Sequence, residues 1–263
     1  MRWFRAKPKK QHAFTVHAPR GIVDLHAHVL PGVDDGAKDM AEAVAMLDAL
    51  QELGVVKVAA TPHFDASVLQ PDAAAQRTLI AALSVQRQDR PPAVTVGAEI
   101  VFDDVFLQQE AEGGVPGLGE QSIYLVEFGF LPGMVSSAME ERVFRFQASA
   151  KQLLLAHPER ISDIQKDVDR VAALRRSGML MQMDVMALVG RYGRRARDTA
   201  YEMLDRELYD VAATDLHHLE DVDMLSEAFD ALVDWDVDVF NRLVSINPSR
   251  IIEGKVEEIV FNA

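Results

Sequence analysis

Short apolar runs alternate with longer amphipathic stretches along almost the whole chain, and this alternation constrains the fold more than any other feature. Strands that alternate with helices pair in the same direction and form a parallel sheet. No glycine-rich G-x-G-x-x-G segment or phosphate-binding loop follows a strand, which disfavours an open nucleotide-binding sheet. Seven apolar runs are present, at residues 21–30, 55–63, 93–100, 122–128, 152–160, 179–185 and 208–217. They predict an α/β fold whose strands close, or nearly close, into a (β/α)7 barrel.

Helical patterns fill the spaces between these runs. The first begins at Asp39, whose spacing to Glu42 is that of an N-terminal capping box. Another extends from about residue 163 to residue 176 and ends before Gly178. The units follow one another without a linker, so residues 21–263 are predicted to form a single barrel domain.

Residues 1–20 form a separate basic tail. They contain none of the 41 Asp and Glu residues and six of the 27 Lys and Arg residues, namely Arg2, Arg5, Lys7, Lys9, Lys10 and Arg20. Trp3 and Phe4 lie among these charges, and such a segment could touch an anionic membrane surface or an acidic partner. The alternative is a solvated chain start.

The chain has no cysteine and a net charge of −14, and both facts exclude classes of function. Without cysteine there is no disulfide, iron–sulfur cluster or thiol nucleophile, so any bound metal must use His, Asp or Glu. An acidic body argues against a nucleic-acid partner, whose phosphates require clustered Lys and Arg. No run approaches about 18 uncharged apolar residues, and the tail lacks the apolar core of a secretion signal. We therefore expect a cytoplasmic protein without a transmembrane segment.

Metal-binding side chains stand near the C-terminal ends of six of the seven predicted strands. His26 and His28 occupy alternate positions of the first strand, which face the same side. The others are Asp34 and Asp35 in the following loop, and His63, Glu99, Glu127, His157, Asp215 and His217 at later strand ends. Because the C-terminal ends of barrel strands meet at one face, we expect these side chains to converge there.

Burial of so many imidazoles and carboxylates without partners is costly, and metal coordination removes that cost. The ligands are too numerous for one ion and predict two or three divalent cations that share carboxylates. Three such ions would leave the site with a net charge of about +2, which suits a phosphate dianion. Clustered metals also deprotonate a bridging water and stabilise a leaving oxygen. Mixed imidazole and carboxylate ligands suit manganese, iron or zinc.

The same residues lie in motifs that resemble the polymerase and histidinol phosphatase (PHP) superfamily. The motifs are DLHAHVLPGVDDGAKD at 24–39, ATPH at 60–63, GAEI at 97–100, YLVEF at 124–128, LLAHPER at 154–160 and ATDLHH at 213–218. Within the superfamily they resemble the bacterial manganese-dependent protein-tyrosine phosphatases of capsule and exopolysaccharide operons, over about residues 20–254. The resemblance implies the PHP fold, a distorted seven-stranded TIM-like barrel with a trinuclear metal site.

The resemblance also assigns nine residues to three divalent ions, with manganese the expected metal and iron or zinc the alternatives. The first ion would be held by His26, His28, Glu99 and Asp215; the second by Glu99, which bridges, with Glu127 and His157; the third by Asp35, His63 and His217. Asp35 is chosen over Asp34 because the family's ligand directly precedes the glycine.

Arg160 in HPER matches an arginine that the family uses near the phosphate, and a guanidinium forms a two-pronged contact with phosphoryl oxygens. The alternative is a surface ion pair with Glu159. Some family members carry a second arginine shortly after the D-x-H motif, and no arginine follows that motif here. The residues that could replace it in substrate binding are His218, Arg191, Arg194 and Arg195, although the arginines could equally be solvated residues at a helix start.

Two further acidic residues, Asp24 and Asp184, each allow two interpretations. Asp24 shares the predicted face of His26 and His28, so it either orients a ligand from outside the site or is a buried structural acid with a partner. Asp184 ends the sixth predicted strand and either reaches the site or remains structural.

Together these features predict a metal-dependent phosphomonoesterase that acts on phosphotyrosine in proteins. The resemblance implies that its partner is a bacterial tyrosine kinase that regulates polysaccharide export. One alternative is a PHP phosphatase that acts on a small phosphate ester such as histidinol phosphate. Others are an amidohydrolase or TatD-like nuclease barrel, and a catalytically inactive barrel that serves as a docking module.

Overall fold

The computed structural model describes residues 17–18, 20–64, 72–129 and 132–261. Most of the predicted basic tail therefore lies outside the described residues. Within them, parallel strands alternate with helices. The strands are β1 (Ile22–Ala27), β2 (Val55–Ala60), β3 (His63–Phe64), β4 (Ala93–Val96), β5 (Glu99–Val101), β6 (Ile123–Glu127), β7 (Gln152–Ala156), β8 (Leu180–Asp184) and β9 (Val211–Ala213). These ranges contain no helix that is long and apolar enough to cross a membrane.

Two of the predicted strands are each divided in two, so the described ranges contain nine strands where the sequence predicts seven. The run 55–63 forms β2 and β3 and is interrupted at Pro62, because proline has no N–H to donate to a neighbouring strand. The run 93–100 forms β4 and β5 and is interrupted at Gly97. There the backbone carbonyl accepts a hydrogen bond from the Gln76 side chain at 2.9 Å.

The strands form two parallel sheets, in the orders β1-β2-β4 and β3-β5-β6-β7-β8-β9. A mixed α/β fold with parallel sheets is thereby confirmed. The two sheets come together at β1 and β9, where Ala27 forms an isolated parallel bridge with Leu216. Close by, the Thr214 hydroxyl donates to Asp24 Oδ2 at 2.5 Å. Asp24 is therefore a buried acid with a partner, and it links the first and last strands.

Five of the ten helices in the described ranges begin where a short polar side chain caps them. The predicted cap at Asp39 is confirmed, because its carboxylate accepts from the Glu42 N–H at 2.9 Å. The predicted helix 163–176 is instead two helices, since Asp167 adopts an extended backbone between them. The helices are α1 (Met40–Glu52), α2 (Ala73–Gln86), α3 (Asp104–Ala111), α4 (Ser137–Gln147), α5 (Ser162–Lys166), α6 (Asp169–Arg176), α7 (Gly193–Asp205), α8 (Val222–Trp235), α9 (Val237–Asn241) and α10 (Asn247–Ile252), with a π-helical segment at 242–246.

The apolar core lies on both faces of the strands. Most helices pack on the outside, in a large cluster that contains Leu47, Phe106 and Phe229. A second cluster unites side chains from both sheets and from α10, namely Val23, Leu25, Ala59, Leu125, Leu154, Leu180, Val211 and Ile251. The two sheets therefore share one apolar interior, and the polar residues that follow the strands lie at the edge of it.

Candidate metal centre

The nine predicted metal ligands lie close together where the strands end. Eight of them form three overlapping clusters whose ligand atoms lie within 4.8 Å of one another: His26, His28, Glu99 and Asp215; His28, Asp35, His63 and His217; and His63, Glu99 and Glu127. The ninth, His157, places Nε2 2.7 Å from Glu99 Oε1. His157 and Asp215 adopt left-handed backbone conformations, with φ of 36° and 49°, which are uncommon for residues other than glycine.

The first cluster is fully buried and converges on one point. His26 Nε2 lies 3.0 Å from Asp215 Oδ1 and 3.3 Å from Glu99 Oε2. His28 Nε2 lies 3.4 Å and 3.5 Å from the same two oxygens. The two Nε2 atoms are themselves 3.3 Å apart. Two imidazole nitrogens and two carboxylate oxygens therefore face one another around a common centre.

The outer nitrogens of these imidazoles determine which atoms face the centre. Gln182 Nε2 donates to the Met183 carbonyl, so its Oε1 is left to accept, and it accepts from His26 Nδ1 at 3.0 Å. Asp34 Oδ2 accepts from His28 Nδ1 at 2.7 Å. With both Nδ1 atoms protonated, each neutral imidazole directs the lone pair of Nε2 towards the carboxylates. Oxygen acceptors on the outer ring nitrogen, such as these two, are what orient metal-bound histidines in proteins.

The first cluster requires positive charge. Burial lowers the pKa of His26 and His28, but the Asp215 and Glu99 carboxylates raise it well above its usual value. Burial raises the pKa of these carboxyls in turn, while the imidazoles hold it well below its usual value. A divalent cation at the centre supplies that charge and accepts all four lone pairs. The donor set therefore fits a metal.

The other two clusters share residues with the first. His63 Nδ1 lies 3.0 Å from Glu99 Oε2, and His63 Nε2 lies 3.3 Å from Asp35 Oδ1. His217 Nε2 also faces Asp35 Oδ1, at 3.6 Å. Burial, followed by the negative charge of Glu99, raises the pKa of Glu127 to about 7. The grouping differs from the implied one, since Glu127 clusters with His63 and Glu99 rather than with His157.

The two neighbouring acids of the first loop have different environments. Asp34 is engaged, because it accepts hydrogen bonds from the His28 ring and from the backbone N–H groups of Gly36 and His63. Asp35 is 69% exposed and directs Oδ1 towards His63 and His217. The geometry therefore favours Asp35 over Asp34 as a ligand, with Asp34 holding the His28 ring in place.

Arg160 lies beside the first cluster, in a short turn directly after His157. Its Nη1 donates to Asp215 Oδ2 at 2.7 Å and lies 3.7 Å from the buried Asp184. The alternative of a surface ion pair with Glu159 is wrong. Glu159 is fully buried, where it accepts hydrogen bonds from the Asp184 N–H and the Tyr209 hydroxyl.

The remaining predicted substrate-binding residues lie in different places. His218 lines an open cleft of about 680 Å³ together with Asp35, and its ring centroid is 6.1 Å from that of His217. Arg191 donates to Asp221 at 3.1 Å. Arg194 is 85% exposed on α7 and faces Asp198 of the same helix, while Arg195 is also exposed. Of these four residues, His218 is therefore the one seen beside the clusters.

The sequence interpretation missed two residues that contact the site. Gln182 holds the His26 ring from β8, and it is a single amide in the otherwise apolar run MLMQM, a pattern that could have revealed it. Tyr192 places its ring over the Arg160 guanidinium, with the Cζ atom 4.3 Å from the ring centroid. Nothing in the spacing of the sequence indicates this second contact.

Comparison with known proteins identifies the family. The CpsB/CapC family model, described as capsular polysaccharide synthesis, matches residues 22–253. Tyrosine-protein phosphatase YwqE of Bacillus subtilis is 27% identical over 201 residues, which are 76% of this chain and 78% of that protein. Tyrosine-protein phosphatase CpsB of Streptococcus pneumoniae is 22% identical over 247 residues, 88% of this chain and 98% of that protein.

A solved structure extends the comparison to the fold. It comes from work on YwqE from Bacillus subtilis and CpsB from Streptococcus pneumoniae, described as unique metal-dependent tyrosine phosphatases. It matches with a TM-score of 0.82 at 24% identity and covers 92% of this chain and 97% of that one. The sheets that position the clusters are therefore shared with a known fold. Because the family model matches nearly the whole length of the chain, the chain belongs to the CpsB/CapC family.

Proposed function

We propose that this protein is a metal-dependent phosphatase that hydrolyses phosphotyrosine in proteins. The observation that carries the proposal is the set of three overlapping clusters, which share His28, His63 and Glu99 and lie directly beside Arg160. The names of the relatives, which are tyrosine-protein phosphatases, support it.

The proposal includes three divalent ions per chain, with manganese the expected metal and iron or zinc the alternatives. The ligands would be the nine residues His26, His28, Asp35, His63, Glu99, Glu127, His157, Asp215 and His217. When bound, such ions activate water and neutralise phosphoryl charge. Gln182 and Asp34 fix the orientation of two imidazoles before any ion binds.

Arg160 is proposed to bind the phosphoryl group. It donates to one oxygen of Asp215, while the other oxygen of that carboxylate faces the first cluster. One carboxylate thus fixes the distance between the guanidinium and the centre of the cluster. His218, at the cleft beside Asp35, is proposed to contact the substrate where other members have a second arginine. Arg191 and Arg194 are also proposed to bind the substrate, although they are paired with Asp221 and Asp198 in the structure.

The natural substrate is proposed to be a bacterial tyrosine kinase that regulates capsule or exopolysaccharide synthesis, in keeping with the family description. We also propose that residues 21–263 form one domain and that the two sheets make up the wall of one distorted (β/α)7 barrel. The apolar cluster shared by both sheets and the Ala27–Leu216 bridge support this architecture.

A substrate panel tests the proposed activity. Metal-free and manganese-loaded protein is assayed with phosphotyrosine, phosphoserine and phosphothreonine peptides and with histidinol phosphate. We expect turnover of the phosphotyrosine peptide by the manganese-loaded protein, with a higher kcat/KM than for the other substrates. A preference for histidinol phosphate would instead support the small-ester alternative. Absence of turnover with every substrate would overturn the proposal.

A further inference from the structure

The guanidinium of Arg160 is enclosed by more than its acidic partners. Tyr192 lies in the turn before α7, and its ring covers one face of the guanidinium at 4.3 Å. Burial, followed by the negative charge of the nearby Asp184 carboxylate, raises the pKa of the Tyr192 hydroxyl. That carboxylate is itself fixed, because it accepts from the Met186 N–H at 2.9 Å. Tyr192 therefore contacts the arginine and lies near a fully buried carboxylate whose position is fixed.

The local backbone places this ring. Tyr192 lies between Gly190 and Gly193, both of which have φ of 84°, in the left-handed region that favours glycine. The two glycines turn the chain sharply away from the segment that follows β8 and into α7. The turn that contains Arg160 packs against α7. The ring thus reaches the arginine from a neighbouring element rather than from its own.

An arginine side chain has many rotamers, and its use as a phosphate ligand depends on restricting them. Asp215 restrains one edge of the guanidinium by a hydrogen bond of 2.7 Å. Contact with the face of an aromatic ring stabilises the cation and fixes the plane of the guanidinium. A phosphate that binds beside Asp215 would then meet a guanidinium whose plane is already set.

We propose that Tyr192 is a positioning residue for Arg160, which it holds in the plane required to contact a phosphoryl group. The inference rests on the proposed function, in which Arg160 binds phosphate. Tyr192 acts through the arginine and is not itself a catalytic residue.

A double-mutant cycle on the manganese-loaded protein tests this inference, with inorganic phosphate affinity measured by calorimetry and kcat/KM measured with an aryl phosphate. Tyr192→Leu removes the ring, and we expect both quantities to fall roughly 5- to 30-fold. Tyr192→Phe retains the ring and should restore most of the loss. In the Arg160→Ala background, Tyr192→Leu should have no further effect, because the group that it positions is absent.

Tyr201→Leu serves as the matched control. Tyr201 lies on α7 itself and its ring contacts that of Trp235, with the centroids 5.5 Å apart, so its loss removes an aromatic contact without touching Arg160. We expect wild-type phosphate affinity for this variant, and unchanged manganese content by elemental analysis for all variants. If Tyr192→Leu lowers phosphate affinity equally with and without Arg160, the positioning role is wrong.

The two readouts separate the inference from the proposed function. Non-additive phosphate binding supports the Tyr192–Arg160 coupling even in a protein that turns over no phosphate ester, whereas that lack of turnover would overturn the proposed function alone. Normal turnover with a fully additive cycle would overturn the inference alone.

Discussion

Each imidazole of the first cluster has two nitrogens with different tasks. The inner Nε2 atoms of His26 and His28 face Asp215 and Glu99, and the outer Nδ1 atoms donate to fixed acceptors. The acceptors therefore determine the tautomer, and the tautomer determines whether a lone pair is available for a metal. Metal affinity should depend on residues that never contact the ion.

Gln182 offers the sharpest test of this dependence. Gln182→Leu keeps the side-chain volume similar but removes the acceptor of His26 Nδ1, so the ring loses its fixed tautomer and orientation. We expect manganese affinity to fall about 10- to 100-fold, measured by calorimetry on metal-free protein. Gln152→Leu is the control, since this amide lies at the start of β7 and bonds to Leu153 and Gly178. Equal affinities for the two variants would refute the role of Gln182.

The shared carboxylate leads to a second prediction. Glu99 contributes to two clusters and also contacts His157, whereas Asp35 contributes to one. Glu99→Gln should therefore reduce bound manganese by more equivalents than Asp35→Asn, although both remove one negative charge. Elemental analysis after gel filtration measures the bound equivalents. The same metal content in both variants would show that Glu99 does not bridge.

Residue types and positions in the sequence are enough to propose the ligands, because imidazoles and carboxylates at parallel strand ends have few other reasons to gather. The set of the first ion and the set of Asp35, His63 and His217 each lie together as implied, and only the neighbours of Glu127 differ. Whether the Glu127 carboxylate lies next to His63 or next to His157 depends on side-chain conformations that move it by only a few ångströms. The burial of Glu159 also could not be predicted from the sequence, since its partner Tyr209 lies 50 residues away along the chain.

At the scale of elements, the interruptions of two strands matter most for the site. The break at Pro62 precedes His63 and the break at Gly97 precedes Glu99, and after both breaks these two residues pair directly across β3 and β5. Two ligands are thus brought side by side in the second sheet. The register is the same on both sides of the breaks, since Ala60 pairs with Val96, so both residues pass into the second sheet with their pairing unchanged.

At the break in the second of these strands, the neighbours of Gly97 approach its backbone closely. A Cβ atom there would lie 3.1 Å from Leu118 and Thr61 side-chain carbons and 3.2 Å from the Ala60 carbonyl oxygen. We expect Gly97→Ala to lower the free energy of unfolding by about 1–3 kcal/mol, measured by urea denaturation of metal-free protein. Gly114→Ala should change it by less, because its Cβ would have only an ordinary contact, 3.5 Å from Gln109 O. Equal stability of both variants would contradict this account.

The order and type of most elements follow from the apolar periodicity, which is a local property. The interruptions do not, because they depend on contacts such as that between Gln76 and Gly97, which are 21 residues apart. The division of the helix at Asp167 is similar. Its carboxylate accepts a hydrogen bond from the Asp169 N–H, and this local bond competes with continuation of the first helix.

At the scale of the whole molecule, the net charge of the chain and the charge of the metal-loaded site have opposite signs. The chain carries a net charge of −14, whereas three divalent ions would leave the ligand cluster positive. Such a site attracts phosphate locally, while the acidic surface around it disfavours anionic macromolecules such as nucleic acids. The metals would therefore supply both the chemistry and the attraction for the phosphate group.

The most direct test of the central claim is a manganese titration of metal-free protein, with bound metal and hydrolysis of a phosphotyrosine peptide measured in the same samples. The account predicts that turnover is absent without metal, rises as manganese binds, and levels off at about three equivalents, when the three clusters are filled. An excess of chelator should abolish it again. Full turnover by protein that elemental analysis shows to be free of metal would contradict the account.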